Sequence, residues 1–179
     1  MPASGDSPDR STRSAGFRTG IGYDSHRLAD GGRMLLGGVE VALHIHLAGH
    51  SDGDAVAHAL TDAILGAAAA GDIGTMFPDT DPLNEGRDSM EMLRAAVALV
   101  TASGYSIINT DITVITEQPR IVRFRDAIRA SLAQSLGVSV DDVSVKGKTN
   151  EGMGWIGREE GLGCIAVATV FRHADGIPG

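Results

Sequence analysis

Apolar and polar positions change their period several times along the chain, and each change marks an element. Phe17 to Tyr23 reads as a first strand, and Met34–Leu36 with Val39–Leu43 flank Gly37-Gly38, the signal of a two-residue hairpin. Residues 53 to 69 are rich in alanine. Placed at about 100° per residue, Asp54, His58, Thr61 and Asp62 share one helical face, with Val56, Leu60, Ala63 and Ala67 opposite. Ser51 or Asp52 would cap this helix. A loop, GDIGTMFPDTDP, follows, studded with glycine and proline. Asp88 with Glu91 has the form of a capping box for a helix from 89 to about 102, ended by Gly104. Tyr105 to Thr116 alternates as a long strand. Pro119 then opens a helix that runs to Leu136 and stops at Gly137, and Val143–Lys148 and Leu162–Arg172 are the last strands.

Strands and helices interleave with hairpins, which predicts an α+β fold: a single domain with a mixed β-sheet and helices on one face. The domain is expected over residues 17–173, between an N-terminal tail of residues 1–16 and a C-terminal tail of residues 174–179. The N-terminal tail is polar and mixed in charge, so it is expected to be disordered and not a signal peptide.

Composition narrows the function. At 179 residues and 42% hydrophobic content the chain suits one domain with a real core. A net charge of -8 argues against a nucleic-acid surface and against binding to an anionic membrane. Any phosphate must be held locally, by a few cations, metals or backbone amides. The single cysteine, Cys164, excludes an internal disulfide framework and a cysteine-based zinc knuckle, and its apolar run GCIAVATVF predicts a buried thiol. No segment approaches a membrane span, and the expected location is the bacterial cytoplasm.

The candidate chemistry lies in a few stretches. The chain has 6 histidines, and His50 and His58 frame HSDGDAVAH. In GYDSHR, Asp24 and His26 stand two apart at a strand end, so both project to one side. With His58 they make a candidate three-ligand zinc set that leaves the fourth tetrahedral position open. A strand-end ion pair gives the same local sequence. His44 and His46 in ALHIH are a competing pair, with no acid or third histidine at obvious spacing. FPDTDP carries two acids in a proline-bounded turn, a pattern shared with Asx turns. TEQPRI breaks a strand and begins a helix, whose free amides beside Arg120 suit a phosphate. KTNEGMGWIGREEG sets hydroxyl, amide and carboxylate groups and the only tryptophan in a glycine-rich loop, as binding loops do.

Taken in order, G-x-D-x-H at 22–26, HSDGD-x-x-x-HA-x-TDA at 50–63, GDIG and FPDTD at 71–81, Q-P-R, K-x-K-T-N-E and G-W-I-G-R resemble the 2-C-methyl-D-erythritol 2,4-cyclodiphosphate synthase family. The resemblance spans about residues 18–172. It implies a phosphorus-oxygen lyase of the non-mevalonate isoprenoid pathway. Such an enzyme cyclises 4-diphosphocytidyl-2-C-methyl-D-erythritol 2-phosphate and releases CMP. The 2-phosphate of the substrate attacks its own β-phosphorus, so no protein nucleophile is needed, and none is evident here.

By this resemblance Asp24, His26 and His58 hold Zn2+, Glu151 holds a second divalent ion (Mg2+ or Mn2+), and His50 and Thr149 stabilise the transition state. Ser51, Asp72, Ile73, Gly74, Phe77, Pro78, Asp79, Thr80 and Asp81 contact the substrate around its methylerythritol part. Thr116, Glu117, Gln118, Pro119, Arg120, Ile121 and Val122 receive CMP, with Lys148, Asn150, Trp155 and Arg158 as further substrate contacts. The implied assembly is a homotrimer with active sites between subunits, and the partner is a small nucleotide-linked molecule. From their spacing of four residues about His58, Asp54 and Asp62 are expected to orient the histidines. Three positions depart from the family pattern. Arg120 stands where lysine is common, Lys148 where threonine is common, and Glu159 replaces a usual glycine beside Arg158 and Glu160, which line a central trimer cavity in the family. A zinc-dependent phosphohydrolase acting on a nucleotide-linked substrate is the rival reading of the same ligands.

Overall fold

A computed structural model describes residues 14–78 and 80–174. Asp79, nearly all of the expected N-terminal tail and most of the C-terminal one lie outside the described residues. Strands β1 (Gly16–Asp30), β2 (Met34–Leu36), β3 (Val39–Ala42) and β4 (Ile45–Ala48) precede α1 (Ala55–Ala68). Then come α2 (Ile73–Met76), α3 (Ser89–Ala102), β5 (Tyr105–Ile115), α4 (Arg125–Leu136), β6 (Val143–Lys148), α5 (Gly154–Gly157) and β7 (Gly161–Arg172).

Five strands form one sheet in the order β4-β1-β7-β5-β6, and β2 with β3 forms a separate hairpin. Only the β5–β6 pair is parallel, so the sheet is mixed as the interleaved pattern predicted. One face is covered. Leu162, Cys164, Ala166, Ala168 and Val170 of β7 are fully buried against α1 and the core, while Phe17, Ile21 and Tyr23 on the other face of β1 are exposed. This places the long helices on one face; on the opposite face α5 covers the Gly161–Gly163 end of β7, and the part carrying Phe17 and Ile21 is exposed.

α1 lies unusually close to β1 for a reason visible in both sequences. Ala55, Ala59, Ala63 and Ala67 recur every fourth residue and are buried, and Gly20 and Gly22 meet them from the strand. A Cβ on Gly22 would stand 1.9 Å from the Ala59 carbonyl oxygen, and one on Gly20 would stand 2.1 Å from that of Ala63. Asp24 and His26 continue the same side of β1, so the strand delivers both side chains to the N-terminal part of α1, where His58 stands.

Three expectations change. The first strand extends to Asp30, well beyond Tyr23, because the polar stretch Asp24–Asp30 is paired with β7 on one edge and β4 on the other. GYDSHR is therefore inside a strand and not at its end. The cap of α1 is Asp54, not Ser51 or Asp52. Pro119 does not open the long helix. A single 3-10 turn over Ile121–Arg123 intervenes, and α4 begins at Arg125.

Candidate metal centre and substrate-binding pockets

The Asp24 Oδ2 atom lies 2.9 Å from His26 Nε2 and 3.1 Å from His58 Nδ1, and the two nitrogens are 3.2 Å apart. Among the described residues these three form the group whose donor atoms converge within 4.8 Å of one another. One carboxylate oxygen and two imidazole nitrogens are suitable donors for a divalent metal, with a position left open for a further ligand. The donors sit in a recess: the side chains of His26 and His58 are 14% and 13% exposed. His26 is held from behind, its Nδ1 lying 2.8 Å from the Ala48 carbonyl oxygen, which suits an Nδ1–H and leaves Nε2 available to a metal.

Burial pushes Asp24 toward its neutral form, but the hydrogen bonds and charges of His26 and His58 outweigh it and hold the carboxyl well below the usual range. Burial lowers His26, and its bond to Asp24 more than reverses this, so the metal-free imidazole keeps its proton above its ordinary 6.5. A raised pKa means that the proton competes with the metal on the acidic side. Affinity of the metal-free chain for a divalent cation, measured with added zinc by chelator competition, is therefore expected to fall as pH drops from 8 toward 6.5, by up to about tenfold per unit. An affinity that is flat over that interval would show that His26 gives up no proton on binding.

The two acids expected to orient the histidines do other work. Asp54 is fully buried, and its carboxylate accepts the amides of Val56 and Ala57 at the start of α1 and of Gly37 and Gly38 in the hairpin turn. Asp62 accepts the Ile73 amide at 2.7 Å, tying the GDIG turn to α1, and burial raises its pKa. Instead, Ser51 Oγ lies 3.0 Å and Ser89 Oγ 2.9 Å from His58 Nε2. Sequence reading missed Ser89. Its one local signal was its place after the Asp88 cap, which points to a helix start and not to a ligand.

The competing histidines are elsewhere. His46 Nδ1 lies 2.7 Å from the Gly31 carbonyl oxygen, and the His44 carbonyl accepts the Gly31 amide, so this pair closes the turn between β1 and β2. His50 is exposed in the loop between β4 and α1, and its carbonyl accepts the Gly86 amide.

Asp72 caps α2 and Asp81 caps the turn at Pro82–Asn84, so Asp81 has the Asx-type role, while Asp79 lies outside the described residues. The bond to Thr75 lowers the Asp72 pKa. Phe77 is buried beneath the Arg87 guanidinium, 4.8 Å from the ring centroid, and Pro78 accepts from the Asn84 side chain. Gly74 and Thr80 are exposed and Ile73 half-buried along the same segment.

A second set of predicted residues gathers at the β5–β6 end. Thr116, Pro119, Arg120, Ile121, Val122, Lys148, Thr149 and Glu151 line a cavity of about 480 Å³, together with Arg125 and Lys146. Phosphate binding there would rest on side-chain cations and not on helix amides, since no long helix starts at Pro119. Glu117 turns away and accepts the amides of Asn150 and Gly152, fastening one loop to the other. Thr149 donates to Glu151 at 2.7 Å, and Glu151 takes a positive φ of 51°, a costly conformation for a residue with a Cβ that sites often hold. Gln118 and Glu159 line a neighbouring hollow with Asp30. Trp155 packs on Gly161, and Arg158 pairs with Glu160 at 2.7 Å. A larger hollow of about 570 Å³ between Arg33, Asp88, Arg94 and Ser131 contains none of the predicted site residues.

Comparisons with known proteins identify relatives of the whole domain. The YgbB family matches residues 17–171. The chain is 62% identical over 155 residues to the 2-C-methyl-D-erythritol 2,4-cyclodiphosphate synthase of Gemmatimonas aurantiaca, covering 87% of this chain and 93% of that one. A solved structure of such a synthase with CDP bound superposes with a TM-score of 0.79 at 37% identity, covering 86% of this chain and 99% of the other. The bifunctional IspDF of Campylobacter jejuni aligns with a TM-score of 0.87 at 39% identity over 92% of this chain, which spans 45% of that protein.

Proposed function

The chain belongs to the YgbB family, and from that premise we infer that it converts 4-diphosphocytidyl-2-C-methyl-D-erythritol 2-phosphate to 2-C-methyl-D-erythritol 2,4-cyclodiphosphate and CMP. The observation that carries this reading is the Asp24–His26–His58 triad, standing in the fold of the named synthases. An oxygen of the substrate's 2-phosphate forms the new bond to the β-phosphorus. The bond from that phosphorus to the oxygen bridging the α-phosphate breaks, and CMP leaves with the bridging oxygen. No water enters. The work left to the protein is to fold the substrate onto itself and to neutralise charge. Intramolecular orientation can contribute roughly 7–11 kcal/mol in favourable cases.

Asp24, His26 and His58 would hold Zn2+, and Glu151 a second divalent ion, Mg2+ or Mn2+. When bound, the two ions supply Lewis-acid neutralisation of the phosphoryl oxygens. His50 and the Thr149 hydroxyl would touch the phosphoryl group in transfer. Ser51, Asp72 to Gly74 and the Phe77–Asp81 segment would enclose the methylerythritol part. Thr116 to Val122 would receive the cytidine, with Arg120 and Lys148 supplying positive charge for the CMP phosphate and Asn150 nearby. Trp155 and Arg158 would bound the site from the α5 side.

The triad and the Glu151 cavity are separate: none of Asp24, His26 and His58 lines the latter. The sheet face away from α1 carries exposed Phe17, Ile21 and Tyr23, a patch that suits burial by another copy. Both features support a homotrimer in which one chain gives the metal triad and its neighbour the Glu151 loop and cytidine pocket.

Release of CMP from the diphosphocytidyl substrate, abolished by chelator and restored by zinc, tests the reaction. The same assay in oxygen-18 water distinguishes the rival, because a hydrolase would place one solvent oxygen in a linear product. Shared sites have a further consequence. If His58→Ala and Glu151→Ala chains, each inactive alone, are dissociated and reassembled one-to-one, about a quarter of the interfaces pair an intact triad with an intact loop. Activity near that fraction of the parent is expected. Verified mixing without any return of activity would place the whole site within one chain.

A further inference from the structure

We infer that Ser89, with Asp52 behind it, is a positioning residue that fixes which ring nitrogen of His58 faces the metal. The inference rests on the reading of Asp24, His26 and His58 as a zinc centre.

Ser89 is fully buried at the first position of α3, 31 residues from His58 in sequence. Its hydroxyl touches three groups: His58 Nε2 at 2.9 Å, the Asp52 carboxylate, and Ser51 Oγ at 3.3 Å. An ionised carboxylate only accepts, and a hydroxyl has one hydrogen. The contact to Asp52 therefore consumes that hydrogen, and toward His58 the serine oxygen can only accept. Nε2 must then carry the proton, which leaves the lone pair on Nδ1, the nitrogen that faces Asp24 and His26. A ring turned over by 180° would lose this bond and present carbon to the metal.

Asp52 is itself fixed. One oxygen accepts the Asp54 amide at 3.2 Å, the other accepts the Ser89 amide at 3.2 Å, and its own amide donates to the Arg87 carbonyl. Both carboxylate oxygens are thus used as acceptors. The chain His58–Ser89–Asp52 extends by one hydroxyl the carboxylate–histidine pairing that orients ligands in many metal sites. Ser51 Oγ is also 3.0 Å from Nε2, but it accepts the Gly53 amide at 3.2 Å and touches no carboxylate; its own hydrogen can go to the Ser89 oxygen 3.3 Å away, which keeps Ser89 an acceptor toward both neighbours.

The test is zinc affinity of the full chain by chelator competition, with thermal melting of the metal-free form and the visible spectrum of the cobalt-loaded form. Ser89→Ala is expected to bind zinc about 10–100-fold more weakly, to shift the cobalt bands, and to melt like the metal-free parent. Asp52→Asn keeps the shape of the side chain, but its NH2 must replace one acceptor oxygen, so it too is expected to lose zinc affinity, and it decides the matter alone if Ser89→Ala does not fold. Zinc binding by these variants within about threefold of the parent, with unchanged cobalt bands, would overturn the inference. So would a loss of zinc fully matched by a loss of metal-free stability. A parent chain that takes up no zinc would remove the zinc reading and this inference with it. A parent that binds zinc beside unaffected variants removes this inference alone.

Discussion

His58→Ala is expected to abolish both metal binding and turnover while leaving the chain folded. His58 supplies one of three converging donors, and the two that would remain, Asp24 and His26, come from a single strand without an opposing ligand. Loss of several kcal/mol of charge neutralisation corresponds to a fall of about 10³-fold or more in CMP release. Folding should tolerate the change. His58 lines the recess and not the packed core, and alanine is the best helix former for its place in the Ala-rich α1. Melting of the metal-free variant within about 1 kcal/mol of the metal-free parent is expected. Zinc retained at full stoichiometry would move the ligand set elsewhere and overturn the assignment of the triad.

The second large effect is one of packing. Gly22→Ala is expected to destabilise the protein by about 3 kcal/mol or more, because the new methyl meets helix backbone and not a side chain that can turn aside. For a domain of this size that is a drop in melting temperature of roughly 6–12 °C. The strain should also reach the metal. The clashing carbonyl belongs to Ala59, next to His58, and Asp24 lies two residues along β1, so separating helix from strand pulls the donors apart. Gly16→Ala is the control, since nothing lies within 4 Å of its Cβ position, and a change within about 0.5 kcal/mol is expected. If Gly22→Ala melted with the control and kept its zinc affinity, the close approach of α1 and β1 would not be what sets the spacing of the triad.

The sequence by itself determined a good deal. Asp24 and His26 are neighbours on one side of a strand whatever that strand pairs with, because alternation is a local property of extended backbone. The hairpin at Gly37-Gly38, the helix after Asp88 and the last strands were legible for the same reason, each being specified by its own turn or cap residues. Periodicity also put His58 on a polar helix face. Periodicity gives the direction of a side chain around its own element, however, and not what stands opposite. Asp54 shares that face in projection, yet the hairpin amides of Gly37 and Gly38 reach it first and make it a buried cap. The polar run Asp24–Asp30 has little strand signal of its own and is extended because β7 pairs with Asp24–Arg27 on one edge and β4 with Arg27–Asp30 on the other. Ser89 became a neighbour of His58 only when α3 packed on α1, bringing together groups 31 residues apart that no local spacing relates. The chemistry of each donor is written in the chain; which atom each one faces was decided by the packing of helix on sheet and helix on helix, because those contacts join segments whose separation in sequence carries no periodic signal.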